Sequence, residues 1–450
     1  MNKYDVIVIG GGPAGYKSAL KLAGMDKKVC IIDKSSKHLG GTCLNQGCIP
    51  VKSLLKSAEV YKTAMNAAEY GVQTGEVSFS LSAVKQKMLK NIELLNNGLA
   101  GTIKRAKIEF VEGYGSFVDK NTVAVGEKQL QADYIIIAAG SVASELPDIK
   151  PDGDRILTSR ELLMNEEFQE KLLIIGGGVI GCEFATFYNR LGTAVTIVEP
   201  MAELLPNEEE ETGKAVKREF KKAGIVSETS SLVKSLTYEE GRVRAVISGK
   251  KVREDSFDLV LLAVGRKPNL SGLELSKAGV QTERGHIKVN KYMQTTAENI
   301  YSAGDAADGW MLAHSAYDEG MCAAKNIVYG NKYMPERTAV PRVVYCSPEV
   351  GAAGLTEEQA ADKYEIEVYK TLFKPNAKAL IEGAGEGFVK VISDKKSGVV
   401  LGACVVGKSA TELIHEFIPV IKNKLTVSDL AGCVHGHPTL SETVWETLLS

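Results

Sequence analysis

Several things this chain has little of narrow its role before any motif is read. No apolar run in its 450 residues approaches membrane-spanning length. Eight cysteines over that length do not make a disulfide framework. Lys+Arg 54 nearly cancel Asp+Glu 56, leaving a net charge of −2, so no basic field recruits nucleic acid or an anionic membrane. The first strand pattern starts within a few residues of Met1, so neither a signal nor a transit peptide is expected and the cytoplasm is the expected location. What remains is 44% hydrophobic and 24% charged, an ordinary globular composition. The length suits about three domains.

Against that plain background one run stands out: Gly40-Gly41-Thr42-Cys43-Leu44-Asn45-Gln46-Gly47-Cys48-Ile49-Pro50-Val51-Lys52. Its glycines admit a flat cofactor close to the backbone. Cys48 opens an apolar-periodic segment, with Pro50 near a first helical position. A thiolate there meets the positive end of the helix dipole, and Lys52 one turn on adds a second positive influence. Cys30 and Cys182 are not spaced to complete a zinc or iron–sulfur site with the pair. The two thiols read as a redox switch.

Two dinucleotide folds are expected. Tyr4–Ile9 is a buried parallel strand pattern entering the turn Gly10-Gly11-Gly12-Pro13-Ala14-Gly15, and Cys30-Ile31-Ile32-Asp33 is a second strand ending in an acid. Glycines at 10, 12 and 15 suit a tight turn, close approach of a pyrophosphate and helix–strand packing, with Asp33 placed for an adenosine ribose. The same arrangement returns at Leu172–Ile175, Gly176–Gly181 and Val195–Glu199. Gly10 to Gly176 and Asp33 to Glu199 share an offset of 166 residues. A second echo, at 125, joins Asp133–Gly140 to Asp258–Gly265. An acid at Glu199 favours the free ribose hydroxyl of NAD over the 2′-phosphate of NADP.

The remaining patterns fill in the architecture. Leu81, Val84, Met88, Ile92, Leu95, Leu99 and Ile103 form a helical stripe expected to face the core. Gly113–Phe117 returns to strand. A strand through Asn299–Ser302 leads to Gly304-Asp305, where the acid suits either a cofactor hydroxyl or a helix cap. Met311–His314 opens another helix. From about Pro335, strands near Arg342–Tyr345 and a hairpin of Phe388–Ser393 with Val399–Val406 predict an antiparallel sheet, with helices near Thr411–Asn423 and Leu440–Leu449. The expected class is α/β: two Rossmann-like domains at 1–147 and 148–264, a central segment 265–334 packing on the first, and an α+β domain at 335–450. Near the end, His435-Gly436-His437-Pro438-Thr439-Leu440-Ser441-Glu442 lacks an obvious third metal ligand, and no metal is expected. His437 and Glu442 suit either a base oriented by a carboxylate or a packed helix cap.

The cysteine run, the turn Gly176-Gly177-Gly178-Val179-Ile180-Gly181-Cys182-Glu183 and the closing His-x-His-Pro-Thr-Leu-Ser-Glu resemble, together and from end to end, the flavin-dependent pyridine nucleotide–disulfide oxidoreductases, and most closely the members that oxidise protein-bound dihydrolipoamide to lipoamide. The resemblance implies FAD in the first fold, NAD in the second, and a homodimer joined through the last domain. It makes Cys43 the thiol that exchanges with substrate and Cys48 the one facing the flavin. It places Lys52 by the flavin, paired with Glu183, and makes His437 the base with Glu442 its partner, serving the other chain. It implies FAD contacts from Gly10, Gly12, Pro13, Ala14, Gly15, Asp33, Lys34, Gly41, Thr42, Cys43, Lys52, Gly115, Gly140, Asp305 and Ala313. NAD contacts are implied at Gly176, Gly178, Val179, Ile180, Gly181, Glu183, Glu199, Val233, Gly265 and Arg266.

The lipoyl group is expected on a separate protein, either the acyltransferase of a 2-oxo acid dehydrogenase complex or the carrier protein of glycine cleavage. Two features are less typical of the family: Cys346, commonly a threonine, and residues 373–378. Glutathione reductases usually carry arginines where this chain has Glu199-Pro200-Met201. Mercuric reductases usually end in a cysteine pair, where this chain has Trp445-Glu446-Thr447-Leu448-Leu449-Ser450. A flavin-bearing sensor without catalysis needs no base, which the His437 and Glu442 pair would supply.

Overall fold

The run Val6–Ile9 shows no polar alternation because both of its faces are buried. In the computed structural model, which describes residues 2–449, Ile7 and Ile9 pack with Phe117, Ile135 and Ile300, while Val6 and Val8 pack with Ala19, Leu22 and Ile136. Each such side chain contributes about 1.5–3 kcal/mol when fully buried. Truncating Ile7 to alanine is expected to cost about 2–5 kcal/mol.

The chain groups into two compact units. The first takes the chain up to Ser53, with Ser82–Ser144 and Gly265–Glu336. Its sheet runs Glu109–Glu112, Val29–Asp33, Asn2–Ile9, Lys128–Ile137, Thr122–Val125, Gly115–Phe117, the first four parallel. Ile300–Ser302 joins the same sheet beside Lys128–Ile137, with Ile300 opposite Ile135. The helices Pro13–Ala23 and Ala313–Tyr329 lie against each other through Gly320, where an added Cβ would come within 2.4 Å of the Ala14 carbonyl oxygen. The long helix Leu81–Arg105 departs from its expected stripe. Met88 and Ile103 are buried, but Leu95 is 48% exposed and the polar Lys85 and Asn96 are buried instead.

The second unit holds Leu54–Leu81, Glu145–Val264 and the chain from Arg337. Residues 54–81, which sequence order assigns to the first domain, therefore cluster with the second unit. Its parallel sheet runs Val226–Thr229, Ala194–Glu199, Lys171–Ile175, Leu259–Leu262, Ile156–Thr158. Beside it lies an antiparallel meander, Leu232–Glu239, Arg242–Ser248 and Val252–Phe257, absent from the sequence reading. The C-terminal sheet is antiparallel in the order Arg342–Val344, Val350–Gly354, Val400–Val406, Phe388–Asp394, Ile366–Leu372. The expected helix at 411–423 is broken into Ala410–Leu413, a 3₁₀ turn Ile414–Glu416 and Phe417–Lys422.

Within this unit the C-terminal sheet meets the second dinucleotide fold through buried charge. Arg342 Nε donates to both Glu208 carboxylate oxygens at 3.0 and 3.1 Å, and Lys390 Nζ lies 3.5 Å from Glu209. Removing Arg342 would leave the Glu208 carboxylate buried without its cation, at a cost of about 3–5 kcal/mol, whereas Lys390 also pairs with Glu211 and Glu357.

Candidate active site

Each dinucleotide turn depends on a glycine that no other residue can replace. Gly10 has φ +106° and an added Cβ would sit 2.2 Å from the Ala138 carbonyl oxygen; Gly176 has φ +111° and 2.4 Å from that of Ala263. The chain then enters Pro13–Ala23 or Val179–Arg190 from Gly12 or Gly178, neither of which supplies a side-chain cap, and no acid lies in either first turn. The first-turn N–H groups of both helices thus have no side-chain acceptor from the cap. Backbone donors at a glycine turn fit the diphosphate of a dinucleotide, and the two starts fit two of them. Pro13, Ala14 and Gly15 form one first turn, Val179, Ile180 and Gly181 the other.

The strand-end acids hold these turns. Asp33 Oδ2 accepts the Gly11 N–H at 2.6 Å and its Oδ1 that of Lys34 at 2.7 Å. Glu199 Oε2 accepts the Gly177 N–H at 2.6 Å and its Oε1 that of Met201 at 2.9 Å. Burial pushes the Asp33 carboxyl above its ordinary range, against the pull of those two donors. A carboxylate has about four lone-pair sites, so both acids keep acceptors for a ribose.

Cys43 lies in the short helix Gly41–Gln46 with Thr42, and Cys48 is the first residue of Cys48–Met65. The sulfurs are not joined. Cys43 hydrogen-bonds to Cys48, and this bond, followed by burial, lifts the Cys43 thiol well above the ordinary range, while Lys52 pulls the other way. Cys48 stands at the helix start, where negative charge is best tolerated. The loop before the thiols is tied down: the Asn45 amide donates to the carbonyls of His38, Leu39 and Gly41, and that of Asn96 to Lys37 and Leu39.

Two tyrosines absent from the sequence reading stand beside this pair. Tyr16 and Tyr317 meet edge to face at 5.8 Å, with Lys17 Nζ over both rings. Burial, then their mutual hydrogen bond, raises the Tyr16 hydroxyl, as would negative charge on nearby Cys43. No spacing rule finds them, because they come from helices about 300 residues apart in the chain.

Asp305 is not a helix cap. It lies inside the 3₁₀ turn Gly304–Ala306, accepting a short hydrogen bond from Ser141 Oγ. Buried Glu319 fixes the turn by accepting the Gly304 N–H at 2.8 Å. Arg266, expected beside NAD, belongs to the first unit: its Nε donates to Ser141 Oγ and its Nη2 to Ser141 O, both at 2.7 Å. Burial lowers the guanidinium pKa, opposed by Asp305 and Cys48. The residue follows Gly265, where the chain leaves the second unit, and so faces the other fold's acid. Gly115 begins the strand Gly115–Phe117, Gly140 has φ +70°, and Ala313 opens a helix that has no side-chain cap. Val233 lies at the bulge in the meander.

In the second unit Glu183 is buried and accepts the Tyr345 N–H at 3.0 Å. The neighbouring Cys182 and Cys346 are both buried with raised thiols, burial being the first cause. They donate to the carbonyls of Gly177 and Pro348 at 3.3 and 3.0 Å, so the atypical Cys346 is a packed thiol.

His437 Nδ1 lies 2.9 Å from Glu442 Oε1, and Glu442 Oε2 accepts the Thr439 N–H at 2.8 Å. That backbone bond first, then His437, keeps the Glu442 carboxyl below its usual range. With Nδ1–H facing the carboxylate, Nε2 carries the lone pair, on a side chain that is 74% exposed. The carbonyl of Thr439 accepts from Asn376 Nδ2 at 3.0 Å, which gives the atypical 373–378 segment a part in holding this loop. Among the described residues there is no group of three or more potential metal ligands and no helix long and apolar enough to cross a membrane.

Comparison with known proteins agrees over the whole length. Dihydrolipoyl dehydrogenase from Chlorobaculum parvum is 39% identical, aligning 99% of this chain with 96% of that protein; one from Bacillus subtilis is 37% identical, at 98% and 97%. Among solved structures, LpdA from Mycobacterium tuberculosis superposes with a TM-score of 0.91 at 27% identity, covering 100% of this chain and 99% of that one. The HOCl-induced flavoprotein disulfide reductase RclA from Escherichia coli, as its Cu(II) complex, gives 0.89 at 26%, with the same coverage. The profile of the pyridine nucleotide-disulphide oxidoreductases matches residues 4–320 and that of their dimerisation domain residues 340–448. By sequence and by fold, this chain belongs to the pyridine nucleotide-disulphide oxidoreductase family.

Proposed function

We propose that this chain is a dihydrolipoyl dehydrogenase that works as a homodimer, oxidising dihydrolipoamide on a separate lipoyl-bearing protein and passing the electrons to NAD. The observation that carries this reading is the His437–Glu442 dyad, a base poised for a thiol, in a chain that also holds the Cys43–Cys48 pair. FAD is assigned to the first dinucleotide fold, with Asp33 and Asp305 toward it, and NAD to the second, with Glu199 toward its ribose. When bound, these two cofactors carry an electron pair from the dithiol to NAD as hydride.

The protein's own residues perform the sulfur chemistry, starting from the Cys43–Cys48 disulfide. His437 Nε2 takes the proton of one substrate thiol, and the thiolate attacks Cys43 Sγ. A mixed disulfide forms, the Cys43–Cys48 bond breaks, and Cys48 leaves as a thiolate beside Lys52. The second substrate sulfur closes onto the first, releasing lipoamide, and its proton passes to Cys43 Sγ as that sulfur leaves. The first proton stays on His437, balancing the Cys48 thiolate. Glu442 keeps the imidazole in one tautomer throughout. Because His437 stands exposed on its own chain, its assigned target is Cys43 of a second copy.

The purified protein is expected to be yellow and to reduce NAD with dihydrolipoamide, but to be inactive with glutathione. Glu199→Arg should lower kcat/KM for NAD at least about tenfold and raise that for NADP, since it exchanges a ribose acceptor for a phosphate partner. Preference for NADP in the unaltered protein would overturn the assignment of Glu199. Activity with glutathione alone would overturn the substrate.

A further inference from the structure

His435 and His437 are separated by one glycine, yet they sit in opposite surroundings. The His435 side chain is 10% exposed and both of its ring nitrogens face acceptors: Nδ1 lies 3.0 Å from the Cys433 carbonyl oxygen and Nε2 3.0 Å from Glu416 Oε2. A carbonyl oxygen can only accept, so Nδ1 carries hydrogen. A carboxylate also accepts, so the Nε2 contact likewise holds a proton between ring and carboxylate. No lone pair is left for a metal or for base catalysis. The imidazole is stacked on Trp445, with ring centroids 6.3 Å apart and planes 20° from parallel, and the Trp445 indole N–H donates to the Ala431 carbonyl at 2.8 Å.

We propose that His435 is a positioning residue that fixes the loop carrying His437. This rests on the reading of His437 as the base. Three elements meet at the ring: the 3₁₀ turn Ile414–Glu416, the residues just before the loop through Cys433, and the last helix, Glu442–Leu449, through Trp445. That last helix also presents Glu442, the carboxylate that orients His437. The clamp and the dyad are thereby referred to one rigid element. Only Gly436 lies between the anchored ring and the working one, and its carbonyl accepts from Thr439 Oγ1 at 2.7 Å. The loop is held at His435 on one side and at Thr439 and Glu442 on the other, so His437 Nε2 has a defined direction although its ring is exposed.

The test is a double-mutant cycle in the FAD-loaded enzyme. His435→Phe keeps the ring stacked on Trp445 and removes both hydrogen bonds; Glu416→Gln keeps an acceptor for Nε2–H. His435→Phe should lower kcat with dihydrolipoamide about tenfold, a part of the 10²–10⁴ that a positioned base supplies. KM for NAD and the rate of NADH oxidation by ferricyanide, which bypasses the thiols, should not change. Glu416→Gln should lose at most about threefold. In a His437→Gln background, His435→Phe should cost nothing further. An equal loss in that background, or a parallel fall in the ferricyanide rate, would make His435 a general stabiliser and overturn the proposal, as would full activity of His435→Phe. Full activity of His437→Gln alone would instead remove the base assignment on which the proposal stands.

Discussion

The thiol pair and the histidine dyad are built on opposite plans. Cys43 is half-buried and hydrogen-bonded to Cys48, which is itself exposed, and the loop before them is pinned by Asn45 and Asn96. His437 has one ring nitrogen tied to Glu442 and the rest of its ring in the open. A dithiol that closes into a disulfide needs its two sulfurs held within bonding reach, which a pinned loop supplies. A base meant for a thiol outside its own fold must instead present its lone pair outward. The contrast fits the proposal that Cys43 and Cys48 are arranged by local folding, whereas the dyad works on the thiols of a second copy.

Substitutions should separate the two plans, beginning with the largest effect. Cys48→Ser should abolish turnover of dihydrolipoamide while leaving FAD content normal by absorbance; measurable lipoamide formation would show that the pair is not the carrier. His437→Gln should reduce kcat about a hundredfold or more, because the positioned base is lost but the thiols are intact. Reduction of the Cys43–Cys48 bond by dithiothreitol should proceed as before, and slower reduction would mean that the dyad shapes the thiol site within its own chain.

Glu442→Gln should act more mildly and with a signature in pH. Its folded carboxyl titrates below the ordinary value of about 4.3, so the ionised form adds stability above that value and the contribution is lost as pH falls through the lowered one. The melting temperature of the unaltered protein should exceed that of Glu442→Gln at pH 7, and the gap should close below about pH 4. A gap that widens on acidification would have the wrong sign. The smallest effect is expected from Asn376→Ala, which removes the cap of Ala377–Ile381 and the donor to the Thr439 carbonyl. It should cost about 1–3 kcal/mol of stability by chemical denaturation, with only a few-fold fall in kcat.

Much of this was legible because its physics is local. A glycine forced to φ above +100° against a carbonyl leaves a mark in the sequence twice, and the acid that holds each turn recurs at the same offset. His437 and Glu442 meet across the start of one helix, a distance that the chain itself dictates. The parts not read in advance depend on tertiary partners. Leu95 sits on the helical stripe of buried Met88 and Ile103 yet is exposed, while Lys85 and Asn96 are buried by what packs around them. Arg266 follows the second fold in sequence but bonds to Ser141 in the first unit. The meander Leu232–Phe257 has alternating burial on Arg242–Ser248 that resembles any half-covered strand. Tyr317 carries no motif at all.

The claim that the base of one chain serves the thiols of another has a direct measurement. Cys48→Ser, inactive with dihydrolipoamide, and His437→Gln, slowed about a hundredfold or more, are mixed under conditions that allow subunit exchange, and heterodimers are counted by native mass spectrometry. A statistical mixture is about half heterodimer, each holding one intact and one doubly damaged site, so activity should return to about a quarter of normal per chain. Heterodimers present with no recovered activity would contradict it, placing His437 with the thiols of its own chain or outside the reaction.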